Sequence, residues 1–388
     1  MYCVKKVTED LTWVGANDRR LSMFEGVYSV PNGVSYNSYL LLDEKTVLFD
    51  TVDKSVSEQF MENVEHVLSG RRLDYVVIQH MEPDHSANVT LFCEKYKNAA
   101  VVSNQKAFTM MKNYFGNDFA ERRIVVKDGE KLSLGGTELA FVFAPMVHWP
   151  EVMVTYDETH KILFSADAFG KFGASDACED WACEARRYYF GIVGKYGVMV
   201  QTLLKKAAAL DIKTICPLHG PVLKENLGYY LNLYDIWSSY KAEADGVFIA
   251  YTSVYGHTEK AAKLFAEKLS ENGCKKVVMS DLARSDMAEN VEDAFKYGKL
   301  VLATTTYNGD VFPFMREFIA HLTERNYQNR KIGFIENGSW APIAAKIMKE
   351  KFASSKNVTF AENTVTITSA LNETSIVQID ALAKELAE

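Results

Sequence analysis

The chain has 388 residues, of which 48% are hydrophobic and 24% charged. At about 100–200 residues per domain this length predicts two or three domains, and the composition excludes a disordered or fibrous chain. Lys and Arg total 43 against 51 Asp and Glu, a net charge of −8 with both signs interspersed, so we expect no nucleic-acid binding, which needs a basic surface.

Membrane insertion and disulfide scaffolding are also disfavoured. No apolar run reaches the roughly 20 residues that span a bilayer, and the N-terminus is charged too early for a secretory signal, so we expect a cytoplasmic protein. The cysteines form no CxxC pair, which argues against a disulfide framework or a zinc ribbon. Cys178 and Cys183 are the two closest, and we expect them to be ordinary thiols.

The first half of the chain mixes strands with helices. Residues 35–50 predict two strands joined by a polar turn at 43–45, followed by a helix over 55–68. Short strands are expected at 75–79, 100–103, 137–143, 153–156 and 162–165. From 186 to 244 the pattern favours helices around one strand at 214–216, and Gly246 is expected to follow the end of the last helix.

After Gly246 the pattern alternates regularly between strand and amphipathic helix. Strands are expected at 247–251, 276–280, 300–304, 331–335 and about 358–368. Such alternation predicts a doubly wound parallel sheet with helices on both faces, which binds ligands beyond the carboxyl ends of its strands. We therefore expect two domains, residues 1–245 and 246–388.

Potential metal ligands follow the strand at 75–79, where His80, Glu82, Asp84 and His85 lie within six residues. Alternate side chains of extended backbone share one side, so the first three are expected to converge. Pro83 disfavours helical backbone at Glu82 and so favours this arrangement. His85 is then expected to face a second metal.

Three further candidates occupy loops that follow other predicted strands: His148, Asp167 and His219. A single histidine is more often a core or surface residue than a ligand. Here, however, four of the eight histidines fall into ligand-like settings with several carboxylates, which favours a metal centre.

These positions resemble the signature of the metallo-β-lactamase fold family, HxHxDH followed by a His, a bridging Asp and a last His. Glu82 replaces the second His, and the resulting HxExDH resembles the flavodiiron (A-type flavoprotein) branch. The resemblance covers about residues 1–240 and implies an αββα sandwich. A carboxylate in this position favours a redox-active iron pair.

The resemblance also implies how two irons would be held. One iron would bind His80, Glu82 and His148, the other would bind Asp84, His85 and His219, and Asp167 would bridge them. His85 is the open case, because some members leave this histidine off the metal. Glu25 aligns with a segment in which some relatives place a histidine near the irons.

A second group of candidates surrounds the carboxyl ends of strands in the later half. A hydroxyl-rich loop before a helix lets backbone N–H groups wrap a phosphate, and the absence of a GxxxxGK[ST] pattern argues against a nucleoside triphosphate. Two later loops offer aromatic walls and close backbone for a flat ring. This half resembles a flavodoxin domain and implies FMN bound by Ser253, Val254, Tyr255, Gly256, His257, Thr258, Thr306, Tyr307, Asn308, Gly309, Gly338, Ser339 and Trp340.

Together the halves have the layout of flavodiiron proteins. The resemblance implies an oxidoreductase that reduces O₂ to water, NO to N₂O, or both, with electrons passing through FMN. It also implies a head-to-tail homodimer or a dimer of dimers. Because the sequence contains no paired cysteines and no second nucleotide-binding domain, a separate donor such as rubredoxin is expected.

Two other functions are compatible with these residues. A zinc hydrolase would use the same ligand frame, although Glu82 argues against it. A non-catalytic electron carrier would use FMN alone. The candidate ligands do not distinguish O₂ from NO as the substrate.

Overall fold

The computed structural model describes residues 2–177 and 180–388, so Cys178 lies outside the described residues. The chain divides into two compact units, one of Met1–Tyr189 with Val198–Asp235 and one of Phe190–Gly197 with Ile236–Glu388. The short segment joins the second unit through Phe190, whose ring stacks on Phe295 at 4.0 Å. The division into domains 1–245 and 246–388 stays a prediction. Among the described residues, Cys3, Cys93, Cys216 and Cys274 are free thiols.

The elements up to residue 238 are short strands mixed with helices. The strands are β1 (Lys5–Lys6), β2 (Leu11–Trp13), β3 (Ala16–Asp18), β4 (Met23–Phe24), β5 (Tyr28–Ser29), β6 (Val34–Tyr36), β7 (Tyr39–Leu42), β8 (Thr46–Phe49), β9 (Tyr75–Val77), β10 (Ala100–Ser103), β11 (Arg123–Val125), β12 (Lys131–Ser133), β13 (Glu138–Phe143), β14 (Met153–Asp157), β15 (Ile162–Phe164) and β16 (Thr214–Cys216). The helices are α1 (Ser57–Leu68), α2 (Pro83–Ser86), α3 (Val89–Lys95), α4 (Gln105–Phe115), α5 (Trp181–Tyr188), α6 (Gly197–Ala207) and α7 (Leu227–Ser238).

The first unit is a sandwich of two mixed sheets. Among the described residues, one sheet has the order β1-β2-β7-β8-β9-β10-β11 and the other the order β12-β13-β14-β15-β16. Both sheets contribute to one apolar cluster, and the rings of Phe49 (β8) and Phe164 (β15) stack at 3.8 Å across it. Burial of these aromatic faces holds the sheets together, and the predicted αββα sandwich is confirmed.

The first strand predicted within residues 35–50 is interrupted in the structure. β6 pairs with β3, whereas β7 pairs with β2 and β8, and Asn37 lies between β6 and β7. The Asn37 side chain donates to the carbonyls of Pro217 and Gly220 at 2.8 Å. These contacts hold Asn37 in place and interrupt the strand there. Because the partners are distant in sequence, no local pattern could predict the interruption.

The second unit contains a doubly wound sheet, as predicted. Its elements are β17 (Ala244–Tyr251), α8 (His257–Glu271), β18 (Val277–Asp281), α9 (Met287–Lys296), β19 (Tyr297–Tyr307), β20 (Asp310–Val311), α10 (Pro313–Glu324), β21 (Lys331–Asn337), α11 (Ala344–Lys351), β22 (Thr359–Ile367) and α12 (Glu373–Ala387).

The strands β18-β17-β19-β21-β22 run parallel, and β20 adds an antiparallel arm to β19. Successive residues of β17 face opposite helix layers: Ile249 joins the cluster that contains Phe265 of α8, while Phe248 contacts Phe318 of α10. Burial on both faces explains the continuous apolar run of this strand. The carboxyl ends of these strands therefore meet at one edge of the sheet.

The prediction for Gly246 is wrong. Helix α7 ends at Ser238, and Gly246 lies within β17 where the pairing register with β19 shifts. A Cβ at this position would lie 2.8 Å from the carbonyl oxygen of Lys276. Glycine is therefore required by the close approach of the neighbouring chain rather than by a helix end. Within the described residues, no helix is both long and apolar enough to cross a membrane.

Glu385 of α12 compensates for a register shift in β22. The shift leaves the amides of Glu362 and Asn363 out of the ladder, and they donate to the Glu385 carboxylate at 3.0 and 3.1 Å. Lys331 pairs with the same carboxylate at 2.9 Å. Burial alone would raise the pKa of Glu385, but these partners outweigh burial and lower it to about 2.

We expect Glu385→Gln to lower the free energy of unfolding of β22 by about 1–2 kcal/mol at pH 7, because charge-assisted hydrogen bonds are lost. Since the folded-state pKa is depressed, this contribution is present above the ordinary pKa of 4.5 and is lost as the pH falls towards about 2. Urea-dependent hydrogen exchange in β22 at pH 7 and pH 4 measures it. Glu350→Gln, at an exposed residue of α11, is the control; an equal effect of both variants would contradict the assignment.

Candidate metal centre and cofactor pocket

Most candidate ligands of the first unit lie in loops that follow strands, and Asp84 and His85 lie in the short helix α2. His80 follows β9, His148 follows β13, Asp167 follows β15 and His219 follows β16. Because these strands belong to two packed sheets, their ends bring together residues that are far apart in sequence. The structure gathers all seven predicted ligands into two adjacent groups.

Local backbone decides how the HxExDH segment is divided between the groups. Glu82 is extended, with φ −58° and ψ 138°, as expected before a proline, and Pro83 then begins α2. The helical turn moves Asp84 away from His80 and places it beside His85. The expectation that His80, Glu82 and Asp84 converge is therefore wrong for Asp84, because the extended backbone ends one residue earlier.

The first group comprises His80, Glu82, His148 and Asp167, whose candidate ligand atoms all lie within 4.8 Å of one another. The Nε2 atoms of His80 and His148 are 3.3 Å apart. An oxygen of Glu82 lies 3.0 Å from His148 Nε2, and Asp167 Oδ2 lies 3.1 Å from the same atom. These atoms can surround one metal ion.

The second group comprises Asp84, His85 and His219, again within 4.8 Å. The Nε2 atoms of His85 and His219 are 3.1 Å apart, and Asp84 Oδ2 lies 3.3 and 3.2 Å from them. Asp167 Oδ1 lies 3.2 Å from His85 Nε2. The two oxygens of Asp167 thus face different groups, and His85 points inward.

The charges of the two groups fit metal ions. Among the described residues, both oxygens of Asp84 and Oδ1 of Asp167 are buried and form no hydrogen bond. Burial would lower the pKa of His148, but hydrogen bonds with Asp167 and Glu82 outweigh burial and raise it to about 9. A buried site that attracts protons this strongly is suited to cations.

The ring nitrogens that face away from these groups have different partners. His80 Nδ1 donates to Glu151 at 2.9 Å, and His219 Nδ1 donates to the carbonyl of Ser35 at 2.7 Å. Burial would raise the pKa of Glu151, but the hydrogen bond with His80 outweighs burial and lowers it. Sequence reasoning missed Glu151, although a glutamate three residues after His148 in an apolar segment was a signal.

A cavity of about 660 Å³ adjoins the two groups, and Glu82, Asp84, Glu25 and Tyr36 contribute to its wall. Glu25 is largely exposed, yet it shares the cavity wall with Glu82 and its carboxyl group is close enough to be influenced by the Glu82 charge. Partial burial of that carboxyl group and repulsion from Glu82 raise the pKa of Glu25 to about 7. The predicted proximity of Glu25 to the candidate ligands is thus observed.

A second cavity, of about 580 Å³, lies at the carboxyl ends of the strands in the second unit. Gly256 does not line it but precedes α8 with φ +86°, a conformation that favours glycine. Trp340 is 92% exposed and Tyr307 42% exposed, so these two predicted aromatic walls form its rim. The predicted residues that line this cavity are Ser253, Val254, Tyr255, His257, Thr258, Thr306, Tyr307, Asn308, Gly309, Gly338, Ser339 and Trp340.

Asn337, the last residue of β21, lies beside this cavity and was not among the predicted site residues. Its Nδ2 donates to Thr258 Oγ1 at 3.4 Å and to the carbonyl of Ser369 at 3.1 Å, and its Oδ1 accepts from the Ser369 amide at 3.2 Å. The side chain is buried. Asn337 therefore links the end of β21 to the first turn of α8 and to the loop that follows β22.

Comparison with known proteins agrees with both halves of the chain. The family model for ODP family beta lactamase matches residues 34–220, and a flavodoxin domain model matches residues 248–368. The nitric oxide reductase of Moorella thermoacetica is 30% identical over 92% of this chain and 91% of its own length. An uncharacterized protein of Methanocaldococcus jannaschii is 31% identical over 92% of this chain and 90% of its own length.

Solved structures give the same result. The rubredoxin oxygen:oxidoreductase of Desulfovibrio gigas has a TM-score of 0.91 and 25% identity, covering 99% of this chain and 98% of its own. The chain belongs to the flavodiiron protein family. The flavodiiron protein of Giardia intestinalis, at 23% identity, shares the fold with a TM-score of 0.92, covering 99% of this chain and 96% of its own.

Flavodiiron proteins combine FMN with a non-haem di-iron centre, and both cofactors fit this chain. The flavodoxin domain provides a cavity at the strand ends where FMN binds in this fold. The two groups of histidines and carboxylates provide nitrogen and oxygen donors for iron. The chain is therefore an FMN- and iron-dependent flavodiiron protein.

We expect Asn337→Ala to weaken FMN binding about tenfold. The first turn of α8 and the loop after β22 lose hydrogen bonds worth about 1–1.5 kcal/mol that keep them in place. Titration of FMN-depleted protein with FMN, followed by flavin fluorescence, measures the dissociation constant. Asn357→Ala, which removes an exposed asparagine pair with Asn329, is the control. An unchanged dissociation constant for Asn337→Ala would exclude this role.

Proposed function

We propose that this flavodiiron protein reduces O₂ to water, NO to N₂O, or both. The observation that carries the proposal is the pair of ligand groups that share Asp167, in a chain that also has the flavodoxin cavity. Relatives named nitric oxide reductase and rubredoxin oxygen:oxidoreductase support it. The zinc hydrolase is not favoured, because Glu82 stands in the ligand frame and the relatives are oxidoreductases.

We assign the ligands as the two groups suggest: His80, Glu82 and His148 would hold one iron, Asp84, His85 and His219 would hold the other, and Asp167 would be shared between them. When bound, the irons and FMN would supply the electrons for either reaction. Reduction of O₂ to two waters takes four electrons and four protons. Reduction of two NO to N₂O and one water takes two electrons and two protons. The inward position of His85 Nε2, 3.2 Å from Asp167, supports its inclusion.

The side chains around the ligands restrict access to the site. The ring of Phe24 meets His219 edge to face at 5.5 Å, and the ring of Tyr188 lies 5.5 Å from the same histidine. Both residues are buried. They pack against the ligand and keep water from its flank, so small substrates enter through the cavity beside Glu25.

We propose that the lining residues of the second cavity, together with Gly256, bind FMN. Hydroxyl groups of Ser253 and Thr258 and the N-terminal amides of α8 suit the phosphate. Tyr307 and Trp340 suit the two faces of the isoalloxazine ring. The exposure of Trp340 in the single chain supports a role for a second subunit in completing this cavity.

We further propose a head-to-tail homodimer, or a dimer of such dimers, that works in the cytoplasm and receives electrons from a rubredoxin-like donor. The exposed Tyr255 and Trp340 at the rim support an interface there, since they are 90% and 92% exposed. The name of the Desulfovibrio gigas relative supports the donor. The free thiols of Cys3, Cys93, Cys216 and Cys274 are compatible with a reducing compartment.

Asp167→Asn tests the catalytic assignment. We expect gas consumption to fall at least about a hundredfold, because a ligand shared by both irons loses its charge, while FMN remains bound. Parallel O₂ and NO consumption by one iron-loaded, donor-reduced preparation, with metal analysis, measures the effect. Asp157→Asn, which alters a buried carboxylate paired with His160, is the control. Unchanged gas consumption by Asp167→Asn would support a non-catalytic FMN carrier. Stoichiometric zinc in the wild type, together with hydrolysis of a lactam or thioester, would support a hydrolase.

Complementation tests the dimer. One chain carries Asp167→Asn, and the other carries Ser253→Glu and His257→Glu, which repel the FMN phosphate. Purified heterodimers with two different tags should recover about half of the wild-type rate, because one intact FMN cavity then faces one intact metal site. Heterodimers without activity, or failure of the two chains to associate, would exclude the head-to-tail arrangement.

A further inference from the structure

The two metal positions differ in what supports their histidines. His80 Nδ1 donates to a carboxylate oxygen of Glu151 at 2.9 Å, whereas His219 Nδ1 donates to a neutral backbone carbonyl at 2.7 Å. His85 Nδ1 is buried and has no hydrogen-bond partner among the described residues. Among the described contacts, an anionic hydrogen-bond acceptor at Nδ1 therefore supports His80 of the first group, whereas neither His85 nor His219 of the second group has one.

Glu151 is held firmly in its position. The oxygen that contacts His80 also accepts from the Met81 amide at 2.8 Å. The backbone carbonyl of Glu151 accepts from Asn104 Nδ2 at 2.5 Å. Glu151 is 1% exposed and His80 is 0% exposed. The carboxylate thus contacts the ring nitrogen in a region without competing water.

A carboxylate that accepts a hydrogen bond from a ligating imidazole increases the basicity of the opposite nitrogen, and a carbonyl does so less. Burial strengthens this effect, because less solvent screens the charge. The hydrogen bond also fixes the ring plane of His80, whose Nε2 faces His148 and Glu82. Both effects favour metal binding at the position of His80.

We propose that Glu151 is a positioning residue that makes the His80–Glu82–His148 position the tighter of the two metal sites, so that it fills first. This inference rests on the ligand assignment of the proposed function. The position formed by Asp84, His85 and His219 then binds its metal second and loses it first. The two irons consequently differ in affinity although both are held by histidines and carboxylates.

Titration of metal-free, FMN-containing protein with Co²⁺ tests this order through visible absorption and calorimetry. We expect two steps in the wild type. Glu151→Gln keeps the size of the side chain but removes its charge, so it should weaken the first step about 10–100-fold and leave the second unchanged. Asp157→Asn, which alters a buried carboxylate paired with a histidine in the same unit, should change neither step.

Two ligand variants identify the steps. His148→Ala should abolish the tight step, and His219→Ala should abolish the weak one. The reverse assignment, or two Co²⁺ ions bound with equal affinity in the wild type, would overturn the proposed order.

Failure of this inference is distinguishable from failure of the proposed function. If the wild type binds two Co²⁺ ions and Glu151→Gln binds them identically, only the role of Glu151 is wrong. If the wild type binds fewer than two, the ligand assignment itself is wrong. Circular dichroism of each variant verifies that a lost step does not reflect unfolding.

Discussion

The compensation of buried negative charge is the constraint on which the first unit depends. Glu82 and Asp84 lie in two adjacent groups that share Asp167, at the ends of strands from two packed sheets, where water screens their charges little. The neighbouring histidines offset this charge only when protonated, as the raised pKa of His148 shows. Metal ions remove the conflict, so metal binding and the order of these loops stabilise each other.

In the second unit, backbone amide groups rather than charged side chains provide the positive potential at the cavity. Its cavity lies where parallel strands end, and α8 begins there after Gly256, so amide groups rather than lysines are available to bind an anion. Asn337 at the end of β21 joins the first turn of α8 to the loop after β22. One buried amide side chain thus restrains these segments, whereas the rim residue Trp340 stays exposed in the single chain.

Sequence reasoning succeeded where local pattern and tertiary structure agree, and it failed where they compete. The alternating strands after Gly246 are present, because burial on both faces of a parallel sheet requires continuous apolar runs. The strand expected from residue 35 breaks at Asn37, whose side chain binds carbonyls about 180 residues away. Asp84 changes groups because one helical turn begins at Pro83, which ends the alternation of an extended strand.

The ligand types, their order and the two-part layout of the chain were readable from sequence, because the HxExDH segment and the flavodoxin loop each keep their chemistry within a few consecutive residues. Only the tertiary structure decided which side chains form hydrogen bonds with these residues. His80 and Glu151 are 71 residues apart, and Thr258 and Asn337 are 79 residues apart. Such contacts arise when separate strands end at the same edge, and a local pattern does not show which distant residue each side chain will meet.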